Sequence, residues 1–166
     1  MFIVKTNNKA KTNVGGSFMS ARLVVLLIAA SSGLLMALQG SLNASQSKII
    51  GLWETTFIVH LLGLVLSALL LFIFKLGSIT WANLAQAPWY TYLGGILGVL
   101  IIYIVARSMP KVGVAPATTA IILGQVFTAG LIDHLGLFGL QKIPFNWLNI
   151  VGTFLMAGGA WLILKQ

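Results

Sequence analysis

The chain has 166 residues, 58% of them hydrophobic and only 7% charged, with ten Lys/Arg against two Asp/Glu for a net charge of +8. A water-soluble domain carries about a quarter charged residues, so the composition excludes a soluble fold and points to an integral membrane protein. The lack of cysteine excludes disulfides, thiolate catalysis and sulfur metal sites, and two acids with two histidines are too few for a metal cluster.

Residues 1–20 are polar, with Lys5, Lys9 and Lys11, and read as a disordered tail. Met19 opens MSARLVVLLIAASSG and is a second plausible translation start. Five long apolar runs follow: Leu23–Leu42, Thr55–Leu76, Trp89–Met109, Val112–Ile132 and Trp147–Leu164. Each approaches the ~20 residues a helix needs to cross a bilayer. They are continuous, and too long for the ~10-residue alternating segments of a transmembrane barrel. The expected fold is therefore all-α, with five transmembrane helices over residues 21–166. The first run exceeds the apolar core of a signal peptide, and no clean A-x-A site follows it. An odd number of spans puts the termini on opposite sides, so an end-to-end copy of the chain would be inserted upside down.

The connections expected are short: Asn43–Glu54, Gly77–Pro88, a tight hairpin at Pro110-Lys111 where proline interrupts the helix, and Asp133–Asn146. Trp81 and Trp89 suit the interface. Side A denotes the face holding the first and third connections and the C-terminus; side B is the other. Side A carries Lys48, Arg107, Lys111 and Lys165, and side B carries Arg22, Lys75 and Lys142. Without the tail lysines this balance gives almost no orientation by the positive-inside rule, as in a dual-topology protein; with them, side B faces the cytoplasm. Scattered singly, these cations read as headgroup anchors in contact with membrane lipid, and not as a nucleic-acid surface. Asn43-Ala44-Ser45 fits a glycosylation sequon at the membrane edge, by coincidence of sequence.

Small residues recur at helical spacing: Ala29, Gly33, Ala37 and Ser41; Gly94 and Gly98; Pro116, Ala120, Gly124 and Thr128. Such rows let backbones approach closely, within a chain or at a subunit seam.

Polar groups at membrane depth are costly and mark where chemistry can live. Ser32, Gln39 and Asn43 fall on one stripe of the first run, and Gln125 follows Gly124 near the middle of the fourth. They can line a cavity for a polar solute or tie helices together. Glu54 begins the second run, where the helix dipole favours an acid. It can cap that helix, pair with Lys48, Arg107 or Lys111, or exchange protons, since burial favours the protonated carboxyl. His60 lies about 9 Å deeper and is a second proton-coupling candidate. Asp133 opposes the dipole at the end of the fourth run and calls for a partner among His134, Lys142, Arg22 and Lys75; it is a third coupling candidate. No nucleotide-binding GxxxxGK[ST] loop is present, so active transport would draw on an ion gradient. No nucleophile–base constellation suggests an enzyme.

The segments ALQGSLNA (Ala37–Ala44), HLLGLVLSALL (His60–Leu70), PWYTYLGGILGVL (Pro88–Leu100), MPKVGVAPATTAIILGQVFTAGLIDHLGLFG (Met109–Gly139) and GTFLMAGGAWLI (Gly152–Ile163) resemble the YdcZ family of the drug/metabolite transporter superfamily. The GQ…LIDHxGLFG stretch is the most specific. GLWETTFIVH (Gly51–His60) resembles one branch of the family rather than its common pattern. The resemblance implies a five-helix unit equivalent to half of a ten-helix inverted-repeat transporter, located in a bacterial inner membrane. It implies a multi-pass exporter without cofactor or resident metal, and Gln39, Asn43, Gln125 and Asp133 match recurring polar positions of the family. The function expected is a secondary transporter of a small polar or cationic metabolite or drug. It would work as an antiparallel homodimer, or as a heterodimer with a similar small chain, with proton coupling through Glu54 or His60. A dual-topology passive channel and a non-transporting subunit of a membrane complex are the alternatives.

Overall fold

A computed structural model describes residues 9–165, with side chains over 21–80 and 82–165; the first eight residues of the expected tail, and the side chain of Trp81, lie outside this. The elements are α1 (Lys9–Ile50), α2 (Leu52–Ala68) continued by a π-helical turn (Leu69–Ile73), the short α3 (Trp81–Gln86), a 3-10 turn (Trp89–Tyr92), α4 (Leu93–Val112), α5 (Val114–Leu135), a 3-10 turn (Leu137–Gly139) and α6 (Trp147–Leu164). Among the described residues there is no strand. Five segments are long and apolar enough to span a bilayer: Ala21–Ile50, Leu52–Ile73, Trp89–Val112, Val114–Leu135 and Trp147–Leu164. A 22-residue helix rises about 33 Å, which matches a hydrocarbon core of about 30 Å.

The chain divides into two units, residues 1–39 and 40–166. The first consists of α1 up to Gln39. Its helix begins at Lys9, where a disordered tail through residue 20 was the expectation. Residues 9–20 contain no proline, and a formed helix adds further turns at little cost.

In the second unit, α1 runs on to Ile50 and turns sharply at Gly51, so the expected Asn43–Glu54 loop is almost entirely helix. The α4–α5 hairpin turns at Gly113, and Pro110 sits inside the last turn of α4. This moves the expected break away from Pro110-Lys111. Proline there removes one late helix hydrogen bond without ending the helix, whereas Gly113 supplies the backbone angles that do. The two hairpins are built alike. Gly51 (φ 102, ψ 161) and Gly113 (φ 92, ψ 160) adopt a conformation essentially restricted to glycine. Each accepts at its carbonyl from the residue four ahead, Thr55 at 3.1 Å and Ala117 at 3.2 Å.

Helix α2 packs on α4, α4 on α5, and α5 on α6. The end of α1 joins them at α4: a Cβ on Gly40 would fall 2.7 Å from Met109 Cε and 3.0 Å from Val105 Cγ1. Ala44, Met109 and Ala117 form the central apolar cluster, with Val105 against it. Asn43, Thr55, Thr56, Ala106 and Ala160 are also buried. All of these residues lie toward side A, near the ends of α1, α4 and α6 and the starts of α2 and α5. In each of the four spans after Gly51, only 6% of the most apolar window is buried. The second unit is thus closed at one end and open along the rest of its length.

On side B, the Tyr92 hydroxyl donates to the Leu84 carbonyl at 2.6 Å and fastens α3 to the start of α4. Asn146 caps α6, its Oδ1 accepting from the Asn149 N–H at 2.8 Å.

Substituting Gly113→Ala should cost about 1–3 kcal/mol of stability, the strain of a non-glycine residue in that region. Gly40→Val should cost about as much through overpacking against Val105 and Met109. Gly63→Ala, where a Cβ would meet nothing within 4 Å, should leave stability unchanged or raised. Unfolding of the micellar protein in increasing SDS measures all three.

Candidate functional site

A groove of about 510 Å³ runs between α4 and α5, walled by Ile101, Ile104 and Val105 on one side and Ile121, Gln125 and Thr128 on the other, with Gly124 in its floor. The groove is otherwise aliphatic. Gly124 and Gln125 are the midpoint of α5, so the amide stands at the greatest membrane depth.

That amide has no hydrogen-bond partner among the described residues and is exposed on the chain. Several other polar side chains in the spans satisfy themselves. Ser31, Ser32, Ser67, Thr119 and Thr153 donate to carbonyls three or four residues back, at 2.6–3.0 Å. A hydroxyl can turn back onto its own helix in this way, but a glutamine amide is too long and carries two donors and an acceptor. Gln125 therefore presents hydrogen-bonding capacity to whatever occupies or covers the groove. The hydroxyls of Thr55 and Thr118 are buried without a partner as well.

His60 sits where α2 faces α4. Its Nδ1 is 2.8 Å from the Thr56 carbonyl; that oxygen only accepts, so Nδ1 carries a proton, and in the neutral ring Nε2 is the free acceptor. Nε2 points at Gly98, where an added Cβ would be 3.6 Å away. The second glycine of the Gly94/Gly98 pair thus forms a notch for the imidazole. Gly94 itself would meet nothing within 4 Å among the described residues if it carried a Cβ, and neither would Gly124.

Glu54 is exposed, not buried as a coupling carboxylate would be. Its carboxylate folds back over Gly51, at the start of α2, where the helix dipole favours negative charge. It makes no ion pair with Lys48, Arg107 or Lys111.

Asp133 is half-buried at the end of α5, and its backbone carbonyl accepts from Ile143 N at 2.8 Å. It pairs with none of the expected cations among the described residues. Its neighbour His134 is engaged elsewhere: Nδ1 accepts from the Phe145 N–H at 3.2 Å, and the two rings stack at 5.1 Å. Phe145 lies on Gly130, where a Cβ would be 2.9 Å from its Cζ. Gly130 and Phe145 thus lock the side-B end of α5 to the strap before α6. Sequence patterning misses this pair because they are fifteen residues apart and on no common helix.

Asn43 is buried in the side-A seam beside Ala44, which leaves the apparent sequon inaccessible. Ser32, Gly33 and Gln39 lie on α1 in the first unit. The structure brings Gln125 and Gly124 into one groove and His60 and Gly98 into one notch; Glu54 and Asp133 stand apart, toward opposite ends of the spans. Among the described residues no group of His, Asp and Glu could hold a metal ion.

A family model described as "Putative inner membrane exporter, YdcZ" matches residues 24–162. No curated protein and no solved structure matches the chain.

The two histidines should show opposite neutral tautomers, His60 protonated on Nδ1 and His134 on Nε2. Long-range proton–nitrogen NMR of imidazole-labelled protein at alkaline pH reads this directly; the same tautomer for both would contradict the geometry.

Proposed function

The chain belongs to the YdcZ family of inner membrane exporters, and on that premise we propose that it carries a small polar solute across a bacterial inner membrane as one half of an antiparallel pair. The observation that carries this reading is Gln125. An amide left unpaired in hydrocarbon costs several kcal/mol, so in the working assembly a solute or a second chain meets it. The helices of the second unit leave the groove open, and the glycines at 94 and 124 leave room for close approach.

An inverted copy suits this surface. Five spans and, without the three tail lysines, the near-even charges of the two sides permit insertion either way up. Turned over, a second chain would set its closed side-A end beside the open side-B half of the first, and the two Gln125 grooves would meet near the midplane, where inverted-repeat transporters bind substrate. Rocking of one copy against the other would then expose the groove to each side in turn. The partner is a second copy or a similar small chain.

The groove holds an amide and a hydroxyl but no acid, and favours a neutral polar solute with a few hydrogen-bonding groups over a strongly charged one. Of the three titratable candidates, His60 fits proton coupling best: its Nε2, engaged by no hydrogen bond among the described residues, faces a glycine notch within the spans, whereas Glu54 is exposed at side A.

Proteoliposomes of the purified chain, offered a panel of neutral and cationic amphiphiles, test the proposal. Uptake of at least one compound should depend on an imposed pH gradient, Gln125→Leu should reduce it about tenfold or more, and His60→Gln should remove the gradient dependence. Flux indifferent to the gradient would favour a passive channel. No flux, with stoichiometric purification of an unrelated protein, would favour a non-transporting subunit.

A further inference from the structure

On side A, α4 and the end of α1 enclose a cleft of about 460 Å³ lined by Ser47, Leu52, Ala106, Arg107, Pro110 and Lys111. We propose that this cleft binds a phosphate ester bearing hydroxyl groups, of the phosphoglycerol type.

Arg107 and Lys111 are four residues apart on α4, hence on one face and about 6 Å apart along the axis. Like charges at this spacing repel, and neither has a carboxylate partner among the described residues. Glu54, the one acid on this side, does not line the cleft. Two uncompensated cations facing one cleft make a site for an anion.

The arginine is also held in place. Its Nη1 donates to the Tyr103 hydroxyl at 3.0 Å, and the Tyr103 ring stacks on Trp53 at 4.3 Å with an interplanar angle of 27°. An aromatic pair spanning α2 and α4 thus aims a guanidinium whose remaining N–H groups are free. Such a planar fork suits the paired oxygens of phosphate, and a lysine adds a point charge to it. Ser47 supplies the second specificity. Its hydroxyl proton is committed to the Ala44 carbonyl at 2.9 Å, so its oxygen is left to accept from a ligand hydroxyl. Phosphate on α4 and hydroxyl on α1 describe one molecule reaching across the seam.

The cleft lies at the end of the Trp89–Val112 span, at headgroup level. The ester can therefore belong to an anionic phospholipid or to a soluble phosphate ester, and the two are separable by experiment. The full chain in neutral detergent would be titrated with dioctanoyl phosphatidylglycerol and, separately, with glycerol 1-phosphate, and bound ligand counted by native mass spectrometry. At least one should bind. The double variant Arg107→Gln/Lys111→Gln should bind it about tenfold more weakly, and Lys48→Gln/Lys165→Gln, on the same side but outside the cleft, should stay within about twofold. Binding of the lipid alone identifies a headgroup site, and binding of glycerol 1-phosphate identifies a soluble ligand. Binding of neither, equal losses in both double variants, or no loss in the first would overturn the proposal. If the double variant fails to fold, Lys111→Gln alone decides: that exposed side chain has no intramolecular partner, and unchanged affinity there overturns the proposal equally.

Discussion

In a bilayer, apolar side chains gain nothing by hiding from lipid, so helices hold together only where small residues let their backbones close in. In the unit from Gly40 onward, that condition is met at one end. Gly40 admits Met109 and Val105, and Ala44, Ala106 and Ala117 keep the surrounding seams narrow. Two single-glycine hinges, Gly51 and Gly113, return the chain at this same end. Away from it, large aliphatic and aromatic side chains face outward, and the helices have little of one another to bury. The closed end, the open groove and the unpaired glutamine within it all follow from where the small residues fall.

The spans were legible in the sequence because an uninterrupted apolar run of bilayer length has few other structural uses; α6 begins and ends where its run does. Helix ends were less so. Apolarity marks what lies in lipid, not where hydrogen bonding stops, so α1 runs past its apolar stretch in both directions and α4 passes through Pro110 to Gly113. The glycine rows show a similar limit. Spacing identifies a smooth face without naming its partner: Gly94 and Gly124 meet nothing among the described residues, while Gly40, one position from the Ala37/Ser41 row, makes the tightest approach to another helix. Gln125 was readable as a costly residue, but its lack of any partner is a fact of three dimensions. Glu54 shows the opposite case. Its scarcity suggested chemistry, and its position over Gly51 is explained by the helix start alone.

The polar features of the chain separate by depth. The cationic cleft, with Arg107 and Lys111, stands at headgroup level on side A. His60 in its glycine notch and Gln125 in its groove stand within the spans, on α2 and α5, the two neighbours of α4. Solute recognition through Gln125, proton exchange at His60 and anchoring of an anion at the cleft would then use different residues, and each can be altered without the others. Under the proposed function, this separation would let five helices with so few polar groups serve as one half of an exporter.

The central claim is that the chain works paired with an inverted partner across the Gly124–Gln125 groove. With no native cysteine, single introduced cysteines report contact without background. Oxidative cross-linking of the chain reconstituted alone should join two copies through Gly124→Cys at the midplane, and should join Val112→Cys on side A to Ser78→Cys on side B but not Val112→Cys to itself. Absence of the midplane link, or a Val112→Cys link between like ends, would contradict the account.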